Sequence, residues 1–502
     1  MMMDKLHGPR PEFFDQMAKS LDVASVPSKH IATLIAPFIV VIQDERYYSS
    51  ANLTIAAMKY GKTLVEKCVD ARKLEIVIPP SIFMEIFMRI GVICDCRSFS
   101  VGDKEEISLN AFSLLETLLK NVPPTYLLPL FTARALPTLG HIVSLLISMT
   151  EASSASPVLK LSTLRCLNEI TKANEDVEHF SHLQAISIAT FMPGLLVVLT
   201  KILGQTNDPR SNRSFCVEAF EVFRNVIISV LNDTNLKAKD IEQLYLDKCP
   251  AEGLQRLKMS GVLPELPFSE KYLKIIGEKV SPVISKVFNP AVYSNDKQVN
   301  EKRVMHAAFD SSRTILITSS QFLTVSAMSS LLNCAVANPE LDDSLIKAIK
   351  ANVKLGDISE DRFLELLRSF PSFLMDQTIN FEGVLSSRLS SLNGFVTLLG
   401  KINRLGELFC SHECLNDFIN FAIRTCQLKE LNQNSFSMAP APPNSEVLAR
   451  KDLGDDEFWK ITYPLQTLPF KHLEHSSITT ILYELINNFI SQSEFFIYNF
   501  DS

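Results

Sequence analysis

Apolar residues recur at matching offsets in two stretches of this chain, LPTLGHIVSLLISM at 136–149 and MPGLLVVLTKIL at 192–203. Aligned on Pro137 and Pro193, Leu139 corresponds to Leu195, Ile142 to Val198, Val143 to Leu199, Leu146 to Ile202 and Ile147 to Leu203. These offsets trace one face of a helix. Each proline falls where a first helical turn tolerates it, because its missing N–H would have no intrahelical partner there. A second amphipathic segment follows each copy. Val158, Leu161, Leu164, Leu167 and Ile170 mark the first; Phe220, Phe223, Val226, Ile227 and Val230 mark the second. The unit is a helix pair. Its repetition predicts an all-α fold, a right-handed α-solenoid of HEAT-type helical hairpins.

The same reading divides the chain. Residues 1–25 are polar and expected to be loose, and 26–233 form an N-terminal HEAT-repeat array. Within it, Ile31, Leu34, Ile35, Phe38 and Ile42 step by three and four around Pro37. A periodicity that survives its proline predicts a kinked helix. A helix over about 51–69 comes next. The β-branched run LEIVIPP at 74–80 reads as an extended loop entering a helix at Ser81, since a lone strand would have nothing to pair with. For the helix over about 104–121, Asp103 is the expected cap and Glu106 completes a capping box. Ile107, Ala111, Leu114, Leu115 and Leu118 form its buried stripe, and Pro123-Pro124 stops it.

Further along, 234–268 is a charged connection with room for a short helix, and HEAT-like repeats continue over 269–431. Helices are expected near 269–287, 298–318, 319–336, 340–353, 358–368, 380–409 and 411–429, with the β-branched RTILIT at 313–318 blurring one boundary. Asn, Ser and Pro dominate 432–451 and erase the periodicity, as in a disordered insertion, either regulatory or simply tolerated. Residues 452–502 resume as a further helical repeat in which Ile478, Ile481, Leu482, Leu485, Ile486 and Phe489 share a face. The aromatic tail SEFFIYNFDS leaves that repeat without a polar cap, so either a partner covers it or the chain is a shortened version of a longer solenoid.

Composition narrows the function class. Apolar residues make up 46% of the 502 and only 16 are glycine, enough for a large core and too few glycines for phosphate loops or sandwich turns. A net charge of −7 with no basic run longer than a dipeptide argues against nucleic acid as the main partner. No apolar core opens the chain as a secretory signal would. The longest uncharged stretch, His179 to Thr200, holds two histidines and the Pro193-Gly194 break, which argues against a membrane span. Ten scattered cysteines fit reduced thiols, hence a cytoplasmic protein or one shared with the nucleus.

Each candidate for chemistry has a stronger structural reading. Gly61-Lys62-Thr63 copies the end of a phosphate loop, but Ala56 stands where the motif needs its first glycine, and AAMKYGKTLVEK reads as helix. Cys410, His412 and Cys414, with Cys426 beyond, lack zinc-ligand rhythm because i and i+2 diverge on a helix. Cys410 and Cys414 do share a face, a weak metal or redox candidate at most; Cys94 and Cys96 are read as packing thiols in the same way. His141 and His306 lie inside helical patterns, far from any nucleophile elbow. Asp342-Asp343 and Asp455-Asp456 sit at helix starts, where they complement the dipole. No catalytic, cofactor-binding or metal-binding residue is assigned.

The ordered series of segments carries a family resemblance. LPTLGHIVSLLISM, VLKLSTLRCLNEI and FMPGLLVVLTKIL, in that order and spacing, resemble the N-terminal HEAT-repeat region of the Tel-two-interacting protein family, the large scaffold subunit of the TTT complex. LIAPFIVVIQ looks like the family's first repeat, and LNGFVTLLGKIN at 392–403 is similar to a segment before its disordered insertion. The resemblance implies a non-catalytic, cofactor-free scaffold joining the Tel-two protein and a third subunit. With the heat-shock-ninety machinery, that assembly would stabilise phosphatidylinositol-3-kinase-related kinases, including TOR, and so support TOR signalling and the DNA-damage response. Family members usually continue well past this chain's last residue. Two other classes compete: a karyopherin-like transport solenoid, which would bind the Ran GTPase, and an enzyme embedded in helices, which would need a pocket of convergent polar groups.

Overall fold

A computed structural model describes residues between 9 and 401, with gaps chiefly at 173–178, 205–212, 236–240, 260–268, 289–301, 338–344, 350–357 and 376–384, and beyond 401 only position 487. The expected helices at 411–429 and 452–502 and the 432–451 insertion therefore lie outside the described residues. Among the described residues the regular structure is helical, without a strand. The chain divides into two compact units, 1–332 and 333–502.

The first unit opens with α1 (Pro11–Ser20), followed by α2 (Ala36–Gln43), α3 (Ala51–Asp70), α4 (Pro80–Cys94) and α5 (Val101–Asn121). Next come the two repeat pairs, α6 (Leu136–Glu151) with α7 (Pro157–Thr171) and α8 (Phe180–Leu203) with α9 (Arg213–Val230). Two short helices, α10 (Ile241–Leu246) and α11 (Ala251–Met259), occupy the charged connection. α12 (Glu270–Val287), α13 (Lys302–Ser319) and α14 (Val325–Val336) continue the array. RTILIT is helical, inside α13.

Hairpins stack into two layers. The first helices α2, α4, α6 and α8 pack in series, and α12 joins α8. The second helices α3, α5, α7, α9 and α13 pack in a parallel series. Within a hairpin, α2 packs on α3, α4 on α5, α6 on α7 and α8 on α9. Between the layers lies one apolar core that includes Phe83, Leu115, Ile142, Leu164 and Phe223, all essentially inaccessible. Each hairpin buries its stripe only against its neighbours, which is why such units are stable as an array.

Several expectations change on contact with this packing. Residues 11–20, expected to be loose, form α1, held by Phe14, which is fully buried against Tyr60 at 5.6 Å between ring centroids. Pro37 does not kink a helix: a 3-10 turn at Ala32–Leu34 precedes α2, and Pro37 lies in its first turn. Pro193 does the reverse, sitting inside the 24-residue α8 rather than opening a helix. LEIVIPP is neither strand nor extended loop but a helical turn, Leu74–Val77, leading into α4. The cap of α5 is Ser100, whose hydroxyl accepts from the Asp103 N–H and donates to the Asp103 carboxylate, so Asp103 lies in the first turn instead of being the cap. Val158, placed in the buried stripe of α7, is 62% exposed, and Leu161 is only half-buried.

In the second unit, α15 (Ile358–Met375) and α16 (Leu385–Lys401) pack together, with Phe370 and Phe395 at 4.8 Å. Gly394 lets the α16 backbone touch that of Val336: an added Cβ would collide with the Val336 carbonyl oxygen. The Ser391 hydroxyl donates to the Asn333 carbonyl at 3.3 Å beside it.

Candidate interaction surface

The two layers present chemically different faces. Along the second layer, α3, α5, α7 and α9 carry five, six, three and four charged side chains respectively. Pairs link neighbouring helices in register. Lys59 on α3 meets Glu106 on α5 at 3.2 Å. Glu105 on α5 accepts from the N–H of Ser156, the cap of α7, at 3.0 Å, and those bonds hold its carboxyl below its ordinary range. Arg165 on α7 reaches Glu218 on α9 at 3.4 Å, and Arg224 on α9 meets Asp310 on α13 at 2.8 Å.

Asn168 is the centre of this network. Its amide donates to Glu221 at 2.8 Å and to Glu218 at 3.3 Å, and its carbonyl accepts from Asn225 at 2.7 Å. Burial, and then the charge of Glu221 one turn away, push the Glu218 carboxyl up. A cleft of about 360 Å³ opens beside these residues, lined also by Lys120, Glu169 and Lys172. Its donors and acceptors are largely spent on one another, so it aligns α7 with α9 rather than presenting a nucleophile and a base.

Charge nearly vanishes from the first layer. Across α2, α4, α6 and α8 only Glu85, Arg89, Glu151 and Lys201 are charged. All four are internally paired, Glu85 with Arg89 at 2.8 Å along α4 and Glu151 with Lys201 at 2.7 Å between α6 and α8. The outward positions include the apolar Val40 on α2, Met88 and Val92 on α4 and Val197 on α8, the last 57% exposed, together with the uncharged polar Gln43 on α2, Ser81 on α4 and His141, Ser144 and Ser148 on α6. Glycine notches draw these helices together. An added Cβ on Gly91 of α4 would stand 2.9 Å from the His141 ring on α6, and one on Gly140 of α6 would stand 3.0 Å from the Phe191 ring on α8. The result is a surface over four successive helices with little net charge, in which exposed apolar side chains alternate with uncharged polar ones.

α8 is also the one helix among the described residues long and apolar enough to cross a membrane. Its buried Gln184 donates to the Ile170 and Lys172 carbonyls at 2.9 Å each, closing the C-terminal end of α7, so α8 is a core helix of the stack.

The residues considered for chemistry have structural places. Gly61 lies mid-helix and buried, where an added Cβ would stand 3.0 Å from the Phe38 ring, so the glycine of the Gly-Lys-Thr triplet serves a helix–helix contact. Cys94 is buried and its thiol is pushed up to about 12 by that burial, while Cys96 is half-buried. His141 and His306 lie on exposed helix faces. Cys410, His412, Cys414, Cys426, Asp342-Asp343 and Asp455-Asp456 lie outside the described residues. Among the described residues no three His, Cys, Asp or Glu side chains are grouped to hold a metal ion. What sequence reasoning missed is the division of charge between layers, which becomes visible only when alternate helices are assigned to opposite faces.

Comparison with known proteins settles the lineage. Residues 12–340 match the family described as the TTI1 N-terminal TPR domain. The chain belongs to the TTI1 family. The hairpins of this family member begin at 36, 80, 136 and 180, farther apart than the roughly 34 residues of a tetratricopeptide unit. It is 24% identical over 321 residues to the human TELO2-interacting protein 1 homolog, covering 60% of this chain and 28% of that protein. The mouse protein of the same name is 23% identical over 192 residues, 37% of this chain and 17% of that one. The matched region thus spans less than a third of either relative. Among solved structures, importin beta aligns with a TM-score of 0.33 at 10% identity, over 82% of this chain and 51% of that one. The NOT1 superfamily homology domain from Chaetomium thermophilum aligns at 0.28 and 15%, over 82% and 86%.

Proposed function

We propose that this chain is a non-catalytic scaffold of the TTT co-chaperone type, binding a TELO2-like protein and, with a third subunit and the heat-shock-ninety machinery, supporting the stability of phosphatidylinositol-3-kinase-related kinases such as TOR. The observation that carries the reading is the family match over 12–340. The name printed for the relatives, TELO2-interacting protein 1 homolog, supports the first partner. The neutral first-layer face supplies a surface suited to it: apolar side chains at the centre of a protein interface contribute most when no charge must be desolvated there. The place of action is the cytoplasm, shared with the nucleus where such kinases work.

Affinity purification of the tagged chain from its native extract, with mass spectrometry, tests this. Recovery of the TELO2-like protein and a large kinase of that class is expected. Doubly substituted Met88→Glu/Val92→Glu protein should retain its fold and lose at least tenfold in recovery, whereas Lys160→Glu on the second layer should not. Recovery of Ran and transport cargo instead would move the chain to the transport solenoids.

A further inference from the structure

The end of α3 is built around a residue that does not suit it. Arg72 has a φ of 55°, the left-handed conformation usually left to glycine. Its N–H donates to the Val69 carbonyl at 3.0 Å and the next N–H, of Lys73, to the Cys68 carbonyl at 2.8 Å, the paired bonds of a Schellman motif. This turn aims the Lys73 side chain back along the N-terminal segment. The Lys73 ammonium donates to the carbonyls of Val23, Ala24 and Val26, each at 3.1 Å. An ammonium has three N–H groups, and all three are engaged on one short stretch of backbone.

The other attachment of that segment is the packing of α1 along α3, with Phe13, Met17 and Ala18 half-buried. Phe14 is the one buried residue of α1, seated on the Tyr60 ring of α3, and Val23 is the neighbouring buried side chain of the turn. A ten-residue helix has little stability of its own in water. By contrast α5 buries eight residues. The segment is tied by an apolar face, centred on Phe14 and Val23, and by one charged point, Lys73.

We infer that residues 11–27 are a strap latched by Lys73, which opens as a unit and uncovers the Tyr60 flank of α3 without unfolding the array. Loss of the Lys73 charge by substitution releases the latch, because a neutral side chain cannot donate to three carbonyls at once. The strap is then held by its apolar contacts only, chiefly Phe14 and Val23.

Hydrogen exchange with mass spectrometry on the full chain tests the latch. Lys73→Met should speed exchange of the 11–27 amides at least tenfold and leave α5 to α9 at wild-type rates. Lys73→Arg, which keeps donors and charge, should recover most of the protection, and Phe14→Ala should open the same segment from its other end. Unchanged exchange in Lys73→Met overturns the proposal. So does acceleration spread evenly from α3 to α9, which would make Lys73 a support of the whole array, or free-peptide exchange of 11–27 in the wild type.

Discussion

The first and second layers of this array are made by the same chain in alternation, helix by helix, yet they solve different problems. α2, α4, α6 and α8 hold four charges, all paired among themselves, and are brought close by glycine notches. α3, α5, α7 and α9 hold many, used to fix the register of each helix against the next. Exposed ion pairs add little stability singly, typically under about 1 kcal/mol, so the second layer gains alignment more than strength. Neutrality in the first layer leaves a surface with little charge to be screened by salt.

Both layers depend on the shared core, and the largest effect belongs there. Phe223→Ala removes a fully buried ring that meets Phe288 at 5.8 Å and should lower stability by about 3–5 kcal/mol, read as the midpoint of urea unfolding. If the loss were under 1 kcal/mol, the layers would not share one core.

Next in size is the centre of the polar network. Asn168→Leu takes the acceptor from the buried Asn225 amide, and stability should fall by about 1–3 kcal/mol. The matching change on the first layer, Ser144→Leu at an exposed position of α6, should fall within about 0.5 kcal/mol of wild type. Equal effects would erase the distinction between an alignment layer and a docking layer.

A smaller effect depends on pH. The raised Glu218 carboxyl binds its proton more readily in the folded chain than in the unfolded one. Stability from this group therefore falls as pH rises through the range just above ordinary carboxylate values, and is recovered on acidification. Glu218→Gln should gain on wild type in unfolding midpoints as pH rises through and just above the ordinary carboxylate range, and then level off. A gain that shrinks over that range would mean Arg165 outweighs burial.

The smallest test compares two glycines of the first layer. Gly194 has open space where a Cβ would go, so Gly194→Ala should raise stability by about 0.5–1 kcal/mol through helix propensity. Gly140→Ala must displace Phe191 and should lower it. Thermal melts of the two variants moving in the same direction would deny the notch its role.

Periodicity carried the helices well because the stripe of a repeat is buried on the same side every time: Ile107, Ala111, Leu114, Leu115 and Leu118 are all inaccessible. Prolines were the hard case. Pro37 and Pro193 exchanged the roles expected of them, since a proline in an apolar run looks alike whether it opens a helix or interrupts one. What decides is whether the preceding residues continue the helix: before Pro193, Leu183, Ile186 and Ile188 are buried in α8, while before Pro37 the chain makes a 3-10 turn. Val158 failed because the buried stripe of α7 begins one residue later, at Leu159, which leaves Val158 on the outward side. The charge-free face was not legible locally, because it is assembled from every other helix.

Seven described cysteines stand outside disulfides, and five of them are buried. Cys166 is the most telling: its thiol donates to the Phe112 carbonyl at 3.2 Å, across the seam between α7 and α5, and burial holds it far from ionisation. Only thiolates react appreciably with alkylating reagents. The array thus carries its own clock, in which the labelling rate of Cys166 counts how often two neighbouring hairpins part, while half-buried Cys96 serves as the reference tick.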